Sequence, residues 1–212
     1  MISKKAINDA FSNSIMTKFL KNPFTAANRL REIELEAGRF REIFVEQPYY
    51  WLYKKIKPLT TLIDIGANIG DTALYFAMNP NTKEVIAFEP DEEHSMHAKR
   101  LLSASALNSK IRWNNAKVGG AEGFSLSSII DKLSNVAIKA DCEGCEYNIF
   151  NKDIKLDNVY AIILEYHYGY AEIEKAIRNN GFRTEHTDPV RMHGFEELGY
   201  LYAEREENEK IR

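Results

Sequence analysis

Two sets of residues in this chain of 212 residues could do chemistry. The first is a group of acids with one histidine. Asp141, Glu143 and Glu146 stand in KADCEGCE, and Glu165 and His167 stand in LEYHYG. A hydroxyl nucleophile must lose its proton near the transition state, and a positioned base helps it do so. Asp141, Glu143 or Glu146 could serve, and His167 titrates close to neutral pH. Carboxylates could also hold a divalent metal that activates the hydroxyl as a Lewis acid. The metal-free base ranks above that arrangement, and no metal is assigned. The bland alternative for Glu146 is a cap on the helix that follows.

The second set lies in TTLIDIGANIGDTALYFA, Thr60 to Ala77. Thr61 to Ile65 is a short, apolar, β-branched run with Asp64 near its end, which reads as a buried strand. Gly66 and Gly70 bracket a tight turn, where a missing Cβ lets backbone approach a ligand. Asn68 is expected to cap the next helix, with Asp71 and Thr72 in its first turn. The unpaired N–H groups of such a helix suit a carboxylate or phosphate. The dinucleotide fingerprint G-x-G-x-x-G lacks its middle glycine here, and no Gly-Lys-Ser/Thr follows to make a P-loop. Glu89 closes the next strand about 20 residues on, where an acid suits a ribose diol.

These residues need a scaffold that alternates strand and helix from Leu59 onward, which implies a parallel sheet with helices on both faces. The expected strands are Thr61–Ile65, Glu84–Phe88, Ile111–Val118, Val136–Ala140, Tyr160–Glu165, Phe182–Thr187 and Gly199–Ala203. Helices are expected over Glu92–Ala106, Leu126–Leu133 and Ala171–Asn180, the last stopped by Gly181. Nothing helical separates the final two strands, so they should form an antiparallel hairpin. Residues 1–57 read as a helical extension, with Ile7, Phe11, Ile15, Met16 and Phe19 at helical spacing and a second helix from Thr25 to about Ala37. The aromatic run Tyr49–Tyr53 reads as core, and residues 58–212 read as the main domain. The end of the chain, EREENEKIR, reads as a frayed tail.

The string DIGANIGDTALYFA, followed in order by IAFEPD and IKADCEGCE, resembles the FkbM family of S-adenosylmethionine (SAM)-dependent class I methyltransferases. The resemblance runs roughly from Leu59 to Glu204. It implies an α/β Rossmann-like fold with a seven-stranded, mostly parallel sheet, an antiparallel strand 7, and helices on both faces. It implies SAM as cofactor. Asp64 would meet the methionine amine, and Gly66, Asn68, Gly70, Asp71 and Thr72 would cradle the methionine part. Glu89, followed by Pro90, would bind the ribose diol. Asn115 and Ala116, with Lys117, would lie near the adenine. Asp141 would sit at the strand end that faces the transferred methyl, and Glu165 and His167 fit the family's v-E-x-H string. The implied activity is O-methylation of a small-molecule or sugar hydroxyl. Asn/Asp-Pro-Pro-Tyr/Phe, which marks many amino-group methyltransferases, is absent after strand 4. RNA or N-methylation and a catalytically silent SAM-binding protein remain the alternatives, with a dinucleotide dehydrogenase behind them.

Composition sets the outer bounds. The chain is 44% hydrophobic and 28% charged, as in an ordinary globular domain. No apolar run approaches a membrane span and no convincing signal peptide opens the chain, so a cytoplasmic enzyme is expected. Residues 1–58 hold 11 Lys and Arg against 6 Asp and Glu, and the rest hold 17 against 25. Solvated helix faces account for that basic segment, so nucleic acid is not expected as a partner; a small-molecule or carbohydrate acceptor is. Oligomeric state is left open. Cys142 and Cys145 fall at filler positions of the acidic motif and read as incidental thiols, with a redox pair as the lesser alternative. His94, His97, His186 and His193 lack acidic company and read as structural, with a loop contact to the pocket as the lesser alternative for His193.

Overall fold

The computed structural model describes residues 37–206. The expected helices at Ile7–Phe19 and Thr25–Ala37 therefore lie outside the described residues, apart from the last position. The chain divides into two compact units, Met1–Glu42 and Ile43–Arg212, and every element below belongs to the second.

Its elements follow in order as α1 (Tyr50–Lys55), β1 (Thr60–Ile65), α2 (Asp71–Ala77), β2 (Thr82–Phe88), α3 (Glu92–Ser103), β3 (Ile111–Asn114), α4 (Leu126–Ile130), β4 (Val136–Ala140), α5 (Glu146–Ile149), β5 (Val159–Tyr166), α6 (Ala171–Arg178), β6 (Phe182–His186), β7 (Val190–Met192) and β8 (Phe195–Arg205). The sheet order is β3-β2-β1-β4-β5-β8-β6. Pairs from β3 through β5 are parallel, and β8 runs antiparallel between β5 and β6. The sheet has eight strands rather than seven, because β7 pairs with β8 in an added hairpin. Glu204 and Arg205 of the expected tail belong to β8.

The central strands are apolar on both faces because helices cover both sides. Leu62 and Ile63 face opposite ways, yet each is fully buried. Ile63, Ile65, Ile86, Phe88, Ile138 and Leu164 join one continuous core, each such side chain contributing about 1.5–3 kcal/mol by leaving water. The edge strand β6 alternates instead: Phe182 and Thr184 are buried while Arg183, Glu185 and His186 are exposed. Residues of the aromatic run Tyr49–Tyr53 also join the core. Tyr49 and Leu52 are buried, and the Tyr49 ring packs at 6.4 Å from Phe76 and 6.3 Å from Tyr200.

Two features of this topology position the site. The chain begins in the middle, at β1, and winds one way to β2 and β3, then the other way to β4 and β5. The crevice between the ends of β1 and β4 is the switch point where open α/β sheets take their ligands. Register does the rest. Asp64 pairs with Lys139 across β1 and β4, and Ala140 pairs with Leu164 across β4 and β5, so Asp141, just past β4, and Glu165, near the end of β5, stand on neighbouring strands.

Candidate active site

The turn after β1 is held by its own backbone. Gly66 N and Ala67 N both donate to Phe88 O at 3.0 Å, and Gly70 N closes back on Ala67 O at 2.8 Å. Gly66 has φ +73°, and a Cβ there would overlap the carbonyl oxygen of Asp141. Only glycine therefore lets the β1 turn lie against the strand that carries the acids. The expected cap by Asn68 does not form. Gly70, at φ +86°, is the N-cap of α2 and no side chain caps it. Asn68 is itself left-handed, at φ +48°, and its amide points to Glu89.

Glu89 is 7% exposed and ties two loops together. Its carboxylate accepts Asn68 N–H at 2.9 Å and Asp91 N–H at 2.8 Å. Asp91 in turn caps α3 through His94 N. Asn115, just past the end of β3, clamps the same loop by donating to the carbonyls of Glu89 and Pro90 at 2.9 and 3.1 Å. Ala116 packs against the core beside it.

Asp64 is completely buried, and its carboxylate is engaged from inside the fold. Thr72 donates to one oxygen at 2.6 Å, and the Lys139 ammonium stands 3.2 Å from the other. Lys139 also donates to Gly66 O at 2.7 Å and lies over the Tyr49 ring. An ammonium with no exposed surface is costly unless paired, and here the acid, the turn carbonyl and the ring all serve it. Asp71 is likewise buried at the start of α2.

Past β4 and β5 the acids converge. Ligand atoms of Asp141, Glu165 and His167 all lie within 4.8 Å of one another. Asp141 is anchored by its backbone N–H to Ile65 O at 3.0 Å and accepts the Tyr49 hydroxyl on Oδ2 at 2.7 Å. His167 is 3% exposed, with Nε2 4.0 Å from Asp141 Oδ1 and Nδ1 3.3 Å from Glu146 Oε1. Glu146 does not make the helix cap read from the sequence: Cys145 is the N-cap of α5 with no side-chain cap, and the Glu146 carboxylate reaches back into the loop before it. It accepts Cys142 N–H at 2.9 Å and Gly144 N–H at 2.8 Å. Glu143 stands apart, exposed and left-handed at φ +55°. Phe195 packs edge-on against the His167 ring at 4.7 Å.

The environment separates these groups. Burial, then the charge of Asp141, pushes the Glu165 carboxyl up to about 8. Burial would raise Asp141 too, but the Lys139 charge and the bonds from Tyr49 and Glu165 outweigh it and hold the acid below its ordinary value. Burial would lower His167, yet Glu146 and then Asp141 stabilise the imidazolium and raise it. Two carboxyls in one pocket therefore differ, with Asp141 as carboxylate and Glu165 carrying the proton.

The cysteines depart from expectation. Cys142 and Cys145 are joined in a disulfide, with Cα atoms 5.5 Å apart. A turn brings positions three apart within disulfide reach, so loop geometry makes the pairing available. Lys139 and Tyr49 are contributors that sequence patterns missed. A lone lysine inside the apolar strand VAIKA was the available signal for the first. No local pattern marks Tyr49, which lies 92 residues from the acid it bonds.

No protein-family model matches the chain, and no curated protein matches it significantly. Solved structures do share its fold. M. capricolum TrmK, in complex with S-adenosyl-homocysteine, superposes with a TM-score of 0.54 at 13% identity over 74% of this chain and 66% of its own. A putative tRNA (m1A22) methyltransferase from Streptococcus pneumoniae, in complex with S-adenosyl-L-methionine, gives 0.52 at 18% identity over 74% and 71%. A putative rRNA-methylase from Clostridium thermocellum gives 0.51 at 12% identity over 77% and 96%. The fold is that of class I SAM-dependent methyltransferases. This methyltransferase fold binds SAM in the neighbours crystallised with it. The chain spans about two thirds of the length of the first two of these structures. The expectation that nucleic acid is an unlikely partner does not stand, since a putative tRNA methyltransferase and a putative rRNA-methylase share this fold. A basic N-terminal segment read as solvated faces says nothing about what the sheet end accepts. Among the described residues no helix is long and apolar enough to cross a membrane.

Proposed function

We propose that this chain is a SAM-dependent methyltransferase of FkbM type, with residues 58–212 as its catalytic domain, and that it methylates a hydroxyl oxygen. The observation that carries this reading is the contact of two half-sites. The Gly66 turn and Glu89 form one side of the crevice, and Asp141, Glu165 and His167 form the other, with Gly66 packed on the Asp141 backbone. The chain's residues fit the cofactor: a turn that a Cβ would block, and a carboxylate at a strand end where it can also accept a ribose diol. Asn68, Gly70, Asp71 and Thr72 shape the methionine end with Asp64 behind them, and Pro90, Asn115 and Ala116 shape the adenine end.

When bound, SAM supplies an electrophilic methyl on a sulfonium. With SAM held in the crevice, the acceptor oxygen would take the methyl as the C–S bond gave up its electron pair to sulfur, and the part left to this chain's residues would be to orient that oxygen and take its proton. The hydroxyl proton would go to Asp141, the carboxylate of the cluster that Glu165 and His167 complete, while the exposed Glu143 stands apart from it. The converging groups favour a hydroxyl acceptor on chemical grounds. A ring nitrogen such as adenine N1 attacks through a lone pair and has no proton to lose first, whereas a hydroxyl benefits from an acceptor at hydrogen-bond range. Positioning of the oxygen in line with the sulfonium supplies most of the rate.

A small molecule or sugar can present that hydroxyl. So can the ribose of an RNA, a second reading favoured by the RNA-directed names among the structures that share the fold. Calorimetric titration with SAM, S-adenosylhomocysteine and NAD, on the wild type and on Glu89→Ala, tests the cofactor site. Saturable binding of the first two, lost in the variant and absent for NAD, is expected. No SAM binding, or binding indifferent to Glu89, sinks the proposal. Transfer of labelled methyl to total RNA, against a sugar and small-alcohol panel, separates the two acceptor classes.

A further inference from the structure

We propose that Asp141, Glu165 and His167 together bind a hard divalent cation of the Mg2+ or Mn2+ type. The site deepens the methyl-transfer reading and rests on it only for the ion's purpose, which is to hold the acceptor oxygen.

Three acidic or imidazole groups near one another do not make a metal site by themselves. Here two of the three side chains, His167 and Asp141, are also aimed from behind. His167 is buried, and Glu146 stands at its Nδ1, which turns Nε2 toward Asp141. A carboxylate behind a histidine is the usual second layer of a metal-bound imidazole, where it fixes the ring and raises its basicity. Glu146 is itself fixed by the amides of Cys142 and Gly144. Asp141 has Oδ2 occupied by the Tyr49 hydroxyl, so Oδ1 is the oxygen that faces His167 Nε2. The Lys139 ammonium does not substitute for a cation in the cluster, because it is bonded to Asp64 and Gly66 O on the cofactor side.

The spacing suits an ion. Metal bonds to carboxylate oxygen and imidazole nitrogen run at about 2.0–2.2 Å, so one ion can touch two atoms whose separation does not exceed twice that length. His167 Nε2 and Asp141 Oδ1 are 4.0 Å apart. The ligand atoms of all three residues fall within 4.8 Å, a span that small side-chain movements close around an ion. Two carboxylate oxygens with one imidazole form a harder donor set than the thiolate-rich sites of structural zinc. Three protein ligands would leave coordination positions open, one of which could take the acceptor oxygen.

The test uses the full chain, stripped with chelator and titrated with MnCl2, read by calorimetry and by electron paramagnetic resonance. A single saturable Mn2+ is expected, with spin-echo modulation from one histidine nitrogen. Glu165→Gln and His167→Ala should each weaken binding roughly tenfold or more, and His167→Ala should abolish the nitrogen modulation. Glu146→Gln, which leaves all three ligands in place, should weaken it by roughly 10–100-fold. SAM is titrated on the same samples, so retained SAM affinity shows that each variant keeps its pocket. Normal SAM binding with no saturable Mn2+ overturns the inference, as does Mn2+ binding indifferent to Glu165 and His167. Mn2+ binding with these losses in a chain that never binds SAM supports the site while sinking the methyl-transfer reading.

Discussion

Lys139→Met removes the cation from the most deeply buried ion pair described here. Lys139 and Asp64 are both fully buried and 3.2 Å apart. Breaking a buried pair by deleting one partner costs about 3–5 kcal/mol, because the other charge is left without compensation. The variant also loses the bond to Gly66 O, although methionine fills most of the lysine volume. For a chain of this size each kcal/mol moves the melting temperature by about 2–4 °C, so the expected drop is about 6–20 °C. The decisive variant is the double one, Lys139→Met with Asp64→Asn. It leaves no buried charge, so it should be more stable than Lys139→Met alone, with a coupling energy of about 0.5–3 kcal/mol. Thermal unfolding by circular dichroism, with denaturant melts for all four chains, gives that coupling. If Lys139→Met proves too unstable to fold, recovery of a cooperative melt in the double variant still reports the coupling. Strict additivity of the two single changes, or a Lys139→Met cost under about 1 kcal/mol, would refute the argument that the pair balances its own desolvation.

The remaining expectations concern the crevice. Glu89→Gln keeps the shape but removes the charge that strengthens each bond, worth about 1.4–3 kcal/mol, so SAM affinity should fall roughly 10–100-fold by calorimetry. An unchanged dissociation constant would remove Glu89 from the ribose role. Gly66→Ala places a Cβ against the Asp141 carbonyl at a left-handed φ, so SAM binding should be lost and stability should fall by about 1–3 kcal/mol from backbone strain alone. Wild-type binding in that variant would mean the turn is not where the cofactor lies. Tyr49→Phe deletes the hydroxyl on Asp141, so it should lower stability by about 1.5–3 kcal/mol and reduce turnover while leaving SAM affinity intact. A fall in SAM affinity without loss of turnover would place Tyr49 on the wrong side of the crevice.

The parts of this fold that sequence made legible are those set by short-range rules. β1, β2, β4 and β5 are apolar runs punctuated by Gly66, Asn79-Pro80-Asn81 and Gly119-Gly120, and each falls within two residues of its expected bounds. β3 stops at Asn114 rather than Val118, because Asn115 leaves the ladder to clamp the carbonyls of Glu89 and Pro90. β7 went unseen because Val190-Arg191-Met192 is only three residues long, too short for its alternation to stand out from a loop, and none of the three is buried. The Asn68 cap failed for a steric reason: a glycine at φ +86° already turns the chain into α2, so Asn68 is pulled toward Glu89 instead. Long-range partners were out of reach altogether. The Asp64–Lys139 pair exists only once β1 and β4 are in register, and Tyr49 meets Asp141 only after the segment before β1 has packed.

The contact between Gly66 and Asp141 explains why the two half-sites must be read as one. Asp141 N donates to Ile65 O, and the Asp141 carbonyl fills the space that a side chain on residue 66 would need. Lys139 bridges the same joint from beneath, bonded to Asp64 on β1 and to the Gly66 carbonyl, with its charge felt by Asp141. A shift of the glycine turn therefore moves Asp141, and a change of charge on the Asp141 side alters the field at the turn. Substitutions on either half should not be additive with those on the other, since they share this joint. Glu89→Gln and Glu165→Gln lie on opposite sides and contact different elements, so they test it directly. If SAM affinity and methyl transfer in the double variant equal the product of the single effects, the crevice works as two independent halves and the joint is only packing.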